Sequence, residues 1–266
     1  MKVRFAVAPG MREWSTDSWE EFAVGLEDRG FDTMWLSDVP LSSTIDPLVG
    51  LAFAAARTKR LKLGANVVPL GRNPLLLAKE LAQIDQLSGG RLLLALVPGI
   101  GQPAERAALG ASGKDRGIEL EQTMGLLRAF WSGESVDCRR DGLEFTGLSV
   151  RPRPVQEPLE LWLGGMGPKA LERAGRLADG WLGAALTPPE AGKAKRQIEA
   201  AAASAGRTVD PEHFGLSLAV AITEPAPETW AQLAARRPDV DPRTLLPVGR
   251  AALRLAVEML IGEGLS

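Results

Sequence analysis

The sequence predicts an α/β fold with parallel strands buried on both faces, held either as a doubly wound sheet or as a (β/α)8 barrel. Three observations lead there. Strand-like and helix-like segments alternate through seven β-then-α units. The strand segments are near-continuous apolar runs, the pattern of strands covered on both sides. The length of 266 residues, 45% of them hydrophobic, suits one α/β unit of about 250 residues with a large core.

Each element has a local reason. Val3–Ala8 is a short apolar run. Asp17 or Ser18 is expected to cap a helix running to about Arg29, with Trp19, Phe22, Ala23 and Leu26 on one face and Gly30 at its end. Thr33–Leu36 is the second strand, closed by Ser37-Asp38. Asp46-Pro47 places an N-cap before a proline at the first helical position and opens a helix to about Arg57. Leu61–Val68 is the third strand, and Asn73-Pro74 opens a helix ending near Ser88-Gly89-Gly90. Arg91–Val97 is the fourth strand, and a helix follows from about Lys114 to Trp131.

The region around 132–158 departs from this rhythm. Val136–Val150 is short and polar-interrupted, with Asp141-Gly142 as a hairpin turn signal, and reads as a small insertion on the scaffold. Leu159–Leu163 is strand five, Pro168–Arg176 its helix and Gly180–Ala184 strand six. Pro189–Ala205 is a helix, Phe214–Ile222 strand seven and Val248–Ile261 a final helix. An eighth barrel strand is expected to be absent, because the chain stops at Gly262–Ser266. Residues 1–266 read as a single domain.

Composition excludes several functions. Lys+Arg 31 against Asp+Glu 33 gives a net charge of −2 with no block of like charge, which supports neither nucleic acid nor membrane as a partner. Cys138 is the single cysteine and His213 the single histidine, so disulfides, redox pairs and multi-histidine metal sites are not expected, and no metal is. There is no tyrosine. No apolar stretch has signal-peptide or membrane-spanning length, so a cytoplasmic protein is expected.

Two glycine-rich turns could hold a ligand. Gly99-Ile100-Gly101-Gln102-Pro103-Ala104 follows strand four and matches G-x-G-x-x-A, with Glu119 and Glu121 further on. A dinucleotide fingerprint follows the first strand of its unit, however, and Pro103 would have to start the helix. Leu163-Gly164-Gly165-Met166-Gly167-Pro168 is the better phosphate site, since a strand ends in glycines and a helix begins at once. Asp38, at the end of strand two, would sit at the mouth of a barrel and is the one candidate for catalysis; a turn or cap is its other reading. Asp179 and His213 precede their strands and read as structural. Lys62 lies at the wrong strand end for a Schiff base. Arg72 and Asn73 could reach a ligand or cap the third helix.

Several segments resemble, in order, the bacterial luciferase-like monooxygenase family. They are Phe31–Asp38, Leu63–Val67 with Asn73-Pro74, Gln83–Leu92, and Leu163-Gly164-Gly165 with Ala178-Asp179-Gly180-Trp181. Asp210–Gly215 resembles the branch that depends on the deazaflavin coenzyme F420. The resemblance implies a (β/α)8 barrel whose C-terminal mouth binds F420, or FMN as the alternative. By position it implies that Asp38, Ala65, Asn66, Val67, Gly99, Ile100, Gly101, Gly164, Gly165 and Met166 bind the cofactor. Ala65–Val67 would form a bulge, with a non-prolyl cis peptide near Asn66-Val67 where the family has one. It also implies a homodimer, a small organic substrate and, for a monooxygenase, a flavin or F420 reductase as partner. A non-catalytic flavin-binding protein is the reading from another class. Several F420-dependent relatives carry a histidine directly after the strand-two aspartate. Here that residue is Val39, so reduction or monooxygenation is implied over alcohol dehydrogenation.

Overall fold

A computed structural model describes residues 3–10, 12–99, 102–111, 115–140 and 143–265. The chain divides into two compact units, Arg4–Trp162 and Leu163–Ser266 with Met1–Val3. The expected hairpin turn Asp141-Gly142, and Ile100 and Gly101, lie outside the described residues.

In the larger unit, β1 (Ala6–Val7), β2 (Thr33–Ser37), β3 (Lys62–Val67) and β4 (Leu92–Leu96) pair in sequence order and in parallel. The helices α1 (Thr16–Asp28), α2 (Pro47–Arg57) and α3 (Pro74–Ser88) connect them. The alternation of the strands sorts the side chains. Met34 and Leu36 share a face with Leu63, Ala65 and Val67, and these pair in register with Leu92, Leu94 and Leu96; all are nearly or fully buried. α2 packs on this face through Gly50, where a Cβ would lie 2.9 Å from Leu36 Cδ1. Trp35, Gly64, Ser37 and Asn66 point to the other face.

The helix starts follow local chemistry. Asp46 and Asn73 accept from the N–H groups two and three residues on, and each is followed by proline, so α2 and α3 begin where expected. Gly89, at φ 70°, closes α3 in the left-handed conformation. The cap of α1 is Ser15, not Asp17 or Ser18. Ser15 Oγ accepts from Ser18 N while Ser15 N donates to Ser18 Oγ, a reciprocal pair that places the start two or three residues earlier. Asp17 then sits in the first turn, where the helix dipole favours it.

The rest of this unit is α4 (Pro103–Ala108), α5 (Arg116–Ser132) and an antiparallel hairpin, β5 (Val136–Arg140) with β6 (Leu143–Leu148). The hairpin forms its own two-stranded sheet, as an insertion should. Buried Asp85 ties down the segment that follows it: its carboxylate accepts from Val155 N (2.7 Å), Gln156 N (3.0 Å) and Gln156 Nε2 (2.7 Å). Arg91 donates to the carbonyls of Ala55, Thr58, Leu61 and Ser88 and to Thr58 Oγ1, joining the end of α2 to the start of β3.

From Leu163 on, in the smaller unit, the rest of β7 (Trp162–Gly164), β8 (Gly180–Ala184) and β9 (Phe214–Ser217) lie side by side. α6 (Pro168–Leu177) and α7 (Pro188–Ser204) pack against each other closely at Gly175, where a Cβ would lie 2.4 Å from the Ile198 carbonyl oxygen. Strands five and seven are shorter than expected. Beyond β9, one parallel bridge, Ala221 to Val248, stands among the described residues where an eighth strand would pair. It precedes α10 (Gly249–Gly262), which follows α8 (Pro227–Arg236) and α9 (Pro242–Leu245). The sequence reading lacks α4, α8 and α9, although each begins with proline.

Candidate functional site

The candidate residues of the larger unit gather at the C-terminal ends of β2, β3 and β4. Asp38 follows β2, and its backbone N–H continues the ladder to the Asn66 carbonyl at 2.9 Å. Its side chain is 4% exposed. Oδ2 accepts from Val68 N at 3.1 Å and from Arg72 Nη2 at 2.9 Å. The same Nη2 reaches Asp46 Oδ2 at 3.1 Å, so one guanidinium nitrogen spans two carboxylates. Burial pushes the Asp38 carboxyl above the ordinary carboxylate value. The Arg72 charge and the Val68 N–H offset that only in part.

A cavity of about 370 Å³ opens beside this pair. Asp38, Asp46, Arg72 and Thr44 supply its polar wall, and Val39 and Leu70 are among its apolar ones. Arg72 thus reaches a cavity, while the side-chain oxygen of Asn73 caps α3.

Asn66 ends the outward-alternating set on β3. Its Nδ2 donates to Ser37 Oγ at 3.2 Å, whereas its Oδ1 is buried without a partner among the described residues. Trp35 Nε1, on the same face, is likewise buried and unpartnered. The Trp35 indole lies across Gly64, where a Cβ would come 2.1 Å from Trp35 Cε3. An unmatched donor and an unmatched acceptor therefore share one strand face, a costly arrangement for groups with nothing to bind.

Ala65 and Val67 alternate to the opposite, helix-covered face and are fully buried. The expected bulge is absent: β3 holds register with β2 and β4 from Leu63 to its end, and Val97 N continues the ladder to the Val67 carbonyl. The Asn66-Val67 peptide is trans, since the cis bonds among the described residues precede Pro152 and Pro158. An unbroken ladder leaves no room for the reversal a bulge or cis bond would make. Gly99 has φ 75° and sits against Glu105 and Val68. Pro103 does start a helix, but α4 has six residues and follows β4, so the dinucleotide fingerprint has neither its helix nor its place.

In the smaller unit, Gly164 ends β7 and Gly165 has φ 124°, a conformation reserved for glycine. Its carbonyl accepts from Trp181 Nε1 at 2.9 Å, which fixes the turn from β8. Met166 is 46% exposed. α6 then begins at Pro168 with no side chain capping its first turn. Lys169, in the first turn of α6, is exposed. His213 Nδ1 donates to the Asp179 carbonyl at 2.9 Å, and Arg207 pairs with Asp179, which gives both the structural role expected of them.

The sequence profile described as luciferase-like monooxygenase matches residues 4–254. The chain belongs to that family. A 5,10-methylenetetrahydromethanopterin reductase of Methanolobus tindarius is 33% identical over 197 residues, covering 74% of this chain and 58% of that protein. An F420-dependent glucose-6-phosphate dehydrogenase of Amycolatopsis mediterranei is 30% identical over 176 residues, covering 61% of this chain and 51% of that protein. The chain thus spans between half and three fifths of the length of these curated relatives. Among solved structures, the coenzyme F420 dependent tetrahydromethanopterin reductase from Methanopyrus kandleri matches with a TM-score of 0.76 at 19% identity. That match covers 100% of this chain and 92% of the other, and with the family match it gives the fold class, a luciferase-like barrel, here with seven parallel strands among the described residues. No helix among the described residues is long and apolar enough to cross a membrane.

Proposed function

We propose that this luciferase-like protein is an F420-dependent oxidoreductase acting on a small organic substrate. The observation that carries the reading is the pair of unmatched polar atoms, Asn66 Oδ1 near the end of β3 and Trp35 Nε1 in the middle of β2, on one face of the sheet. A deazaflavin presents both ring carbonyls and a ring N–H, so one acceptor and one donor suit it. The names of the relatives point to the same cofactor. Bound F420 supplies hydride transfer at its ring.

The residues of this chain bind and orient. Asn66, held by Ser37, offers its carbonyl oxygen, and Trp35 offers its indole N–H. Asp38 is spoken for by Val68 and Arg72 and serves to fix the ends of β2 and β3. Its place next to Val39, with no tyrosine in the chain, supports reduction over alcohol oxidation, which needs a base for the hydroxyl proton. Taken separately, the turn Gly164–Met166 has the open helix start and glycine backbone of a phosphate-binding loop. The family match across 4–254 supports treating residues 1–266 as one barrel domain. Homodimer formation and a partner reductase belong to the proposal through the resemblance alone, and cytoplasmic location through the lack of a long apolar stretch in the sequence.

Asn66→Ala tests the reading. Wild type should quench F420 fluorescence saturably. The variant should bind at least about tenfold more weakly, the effect of about 1.4 kcal/mol expected for one buried hydrogen bond. Equal affinities would remove Asn66 from the site.

A further inference from the structure

We infer that the cavity beside Asp38 admits a small uncharged molecule with a largely apolar body, and rejects phosphorylated ones. A relative acts, by its name, on glucose 6-phosphate, whose dianion demands a surplus of positive charge. This cavity has none. Among the described residues lining it, Arg72 is the sole cation, against Asp38 and Asp46. Its Nη2 is divided between the two carboxylates at 2.9 and 3.1 Å, so the fork a phosphate would grip is already held. Were Asp38 protonated, the lining would still carry no excess cation.

The remaining walls fit an apolar guest. Val39, Ile45, Val68 and Leu70 line the space, and Val68 and Leu70 belong to a small buried cluster with Ala111. Gly71, at φ 77°, lets the backbone pass within contact of Leu109, so the floor is closed by main chain rather than by a basic side chain. Arg72 Nε and Nη1 make no hydrogen bond among the described residues, and either can donate singly to a carbonyl or hydroxyl oxygen. A volume of about 370 Å³ falls in the low range for ligand pockets, which suits a single-ring molecule.

The inference rests on the oxidoreductase reading only in calling the guest a substrate, and the cofactor-free protein tests it. Cyclohexanone and glucose 6-phosphate are titrated separately while the amide resonances of Val68, Gly71 and Leu109 and the Arg72 Nε–H are followed by NMR. Cyclohexanone should move them saturably, and glucose 6-phosphate at equal concentration should not. Asp46→Asn keeps an amide oxygen to cap α2 but releases Arg72, and should bind glucose 6-phosphate at least about fivefold more tightly than wild type does. Saturation of wild type by glucose 6-phosphate at cyclohexanone-like concentrations would overturn the inference, as would cyclohexanone leaving these resonances unmoved. A parallel F420 titration separates the two readings: cavity filling without F420 binding sinks the cofactor assignment alone, and the reverse sinks the cavity alone.

Discussion

Asp85→Ala should be among the most damaging single changes outside the site. Asp85 is 0% exposed, and its carboxylate satisfies two backbone N–H groups, Val155 and Gln156, together with Gln156 Nε2. Alanine leaves the two main-chain donors without an acceptor. Gln156 Nε2 keeps its bond to the Leu92 carbonyl at 2.8 Å and is only half-deprived. At about 1.5–3 kcal/mol for each bond to a charged group, two lost backbone bonds cost about 3–6 kcal/mol. That is a large part of the roughly 5–15 kcal/mol that keeps a protein folded. Urea unfolding followed by tryptophan fluorescence should show a midpoint lower by about 1–2 M with an unchanged slope. Both backbone N–H groups bond the same oxygen, Oδ2, so Asp85→Asn can keep both on its single acceptor oxygen and should lose less than half as much. A loss below about 1 kcal/mol for the alanine variant would refute the reasoning, because it would mean the two N–H groups had found water.

Three other outcomes are expected. Glu27 accepts from the N–H groups of Lys59, Arg60 and Leu61; burial works against its charge, but those bonds and the Arg60 charge hold its carboxyl below the ordinary glutamate value. Its contribution is therefore complete above the ordinary value and lost as pH falls through the lowered one, so Glu27→Gln should flatten the fall in Tm on acidification below about pH 4.5. Arg91→Lys should destabilise by about 2 kcal/mol or more, since an ammonium cannot reproduce the fork that serves four carbonyls; a change within about 0.5 kcal/mol by urea unfolding would contradict this. Gly165→Ala, at φ 124° and with its new Cβ 2.9 Å from Ala170 Cβ, should weaken F420 binding at least about tenfold in a fluorescence titration, and unchanged binding would detach the turn from the cofactor.

The fold was legible where a side chain or a glycine acts on its own neighbours. Asp46-Pro47, Asn73-Pro74 and Gly89 set helix ends through bonds spanning two to four residues, and those ends fall where the sequence places them. Ser15 was missed because the reciprocal bond with Ser18 competes with two equally plausible caps nearby. The Gln83–Leu92 segment is one of several that carry the family resemblance, and its meaning is structural: Asp85 and Arg91 bind backbone up to 71 and 36 residues away. The sites were less legible for the same reason. Asp38 and Arg72 meet across 34 residues, and no local pattern announces that one guanidinium will be shared with Asp46. The unmatched atoms of Trp35 and Asn66 appear only once β2 and β3 are in register.

Titration of the protein with F420 and, separately, with FMN tests the central claim most directly, reading fluorescence and bound stoichiometry. The account predicts saturable F420 binding at micromolar concentration, one per chain, with FMN binding at least about tenfold weaker. Tighter binding of FMN, or no binding of either, would contradict it.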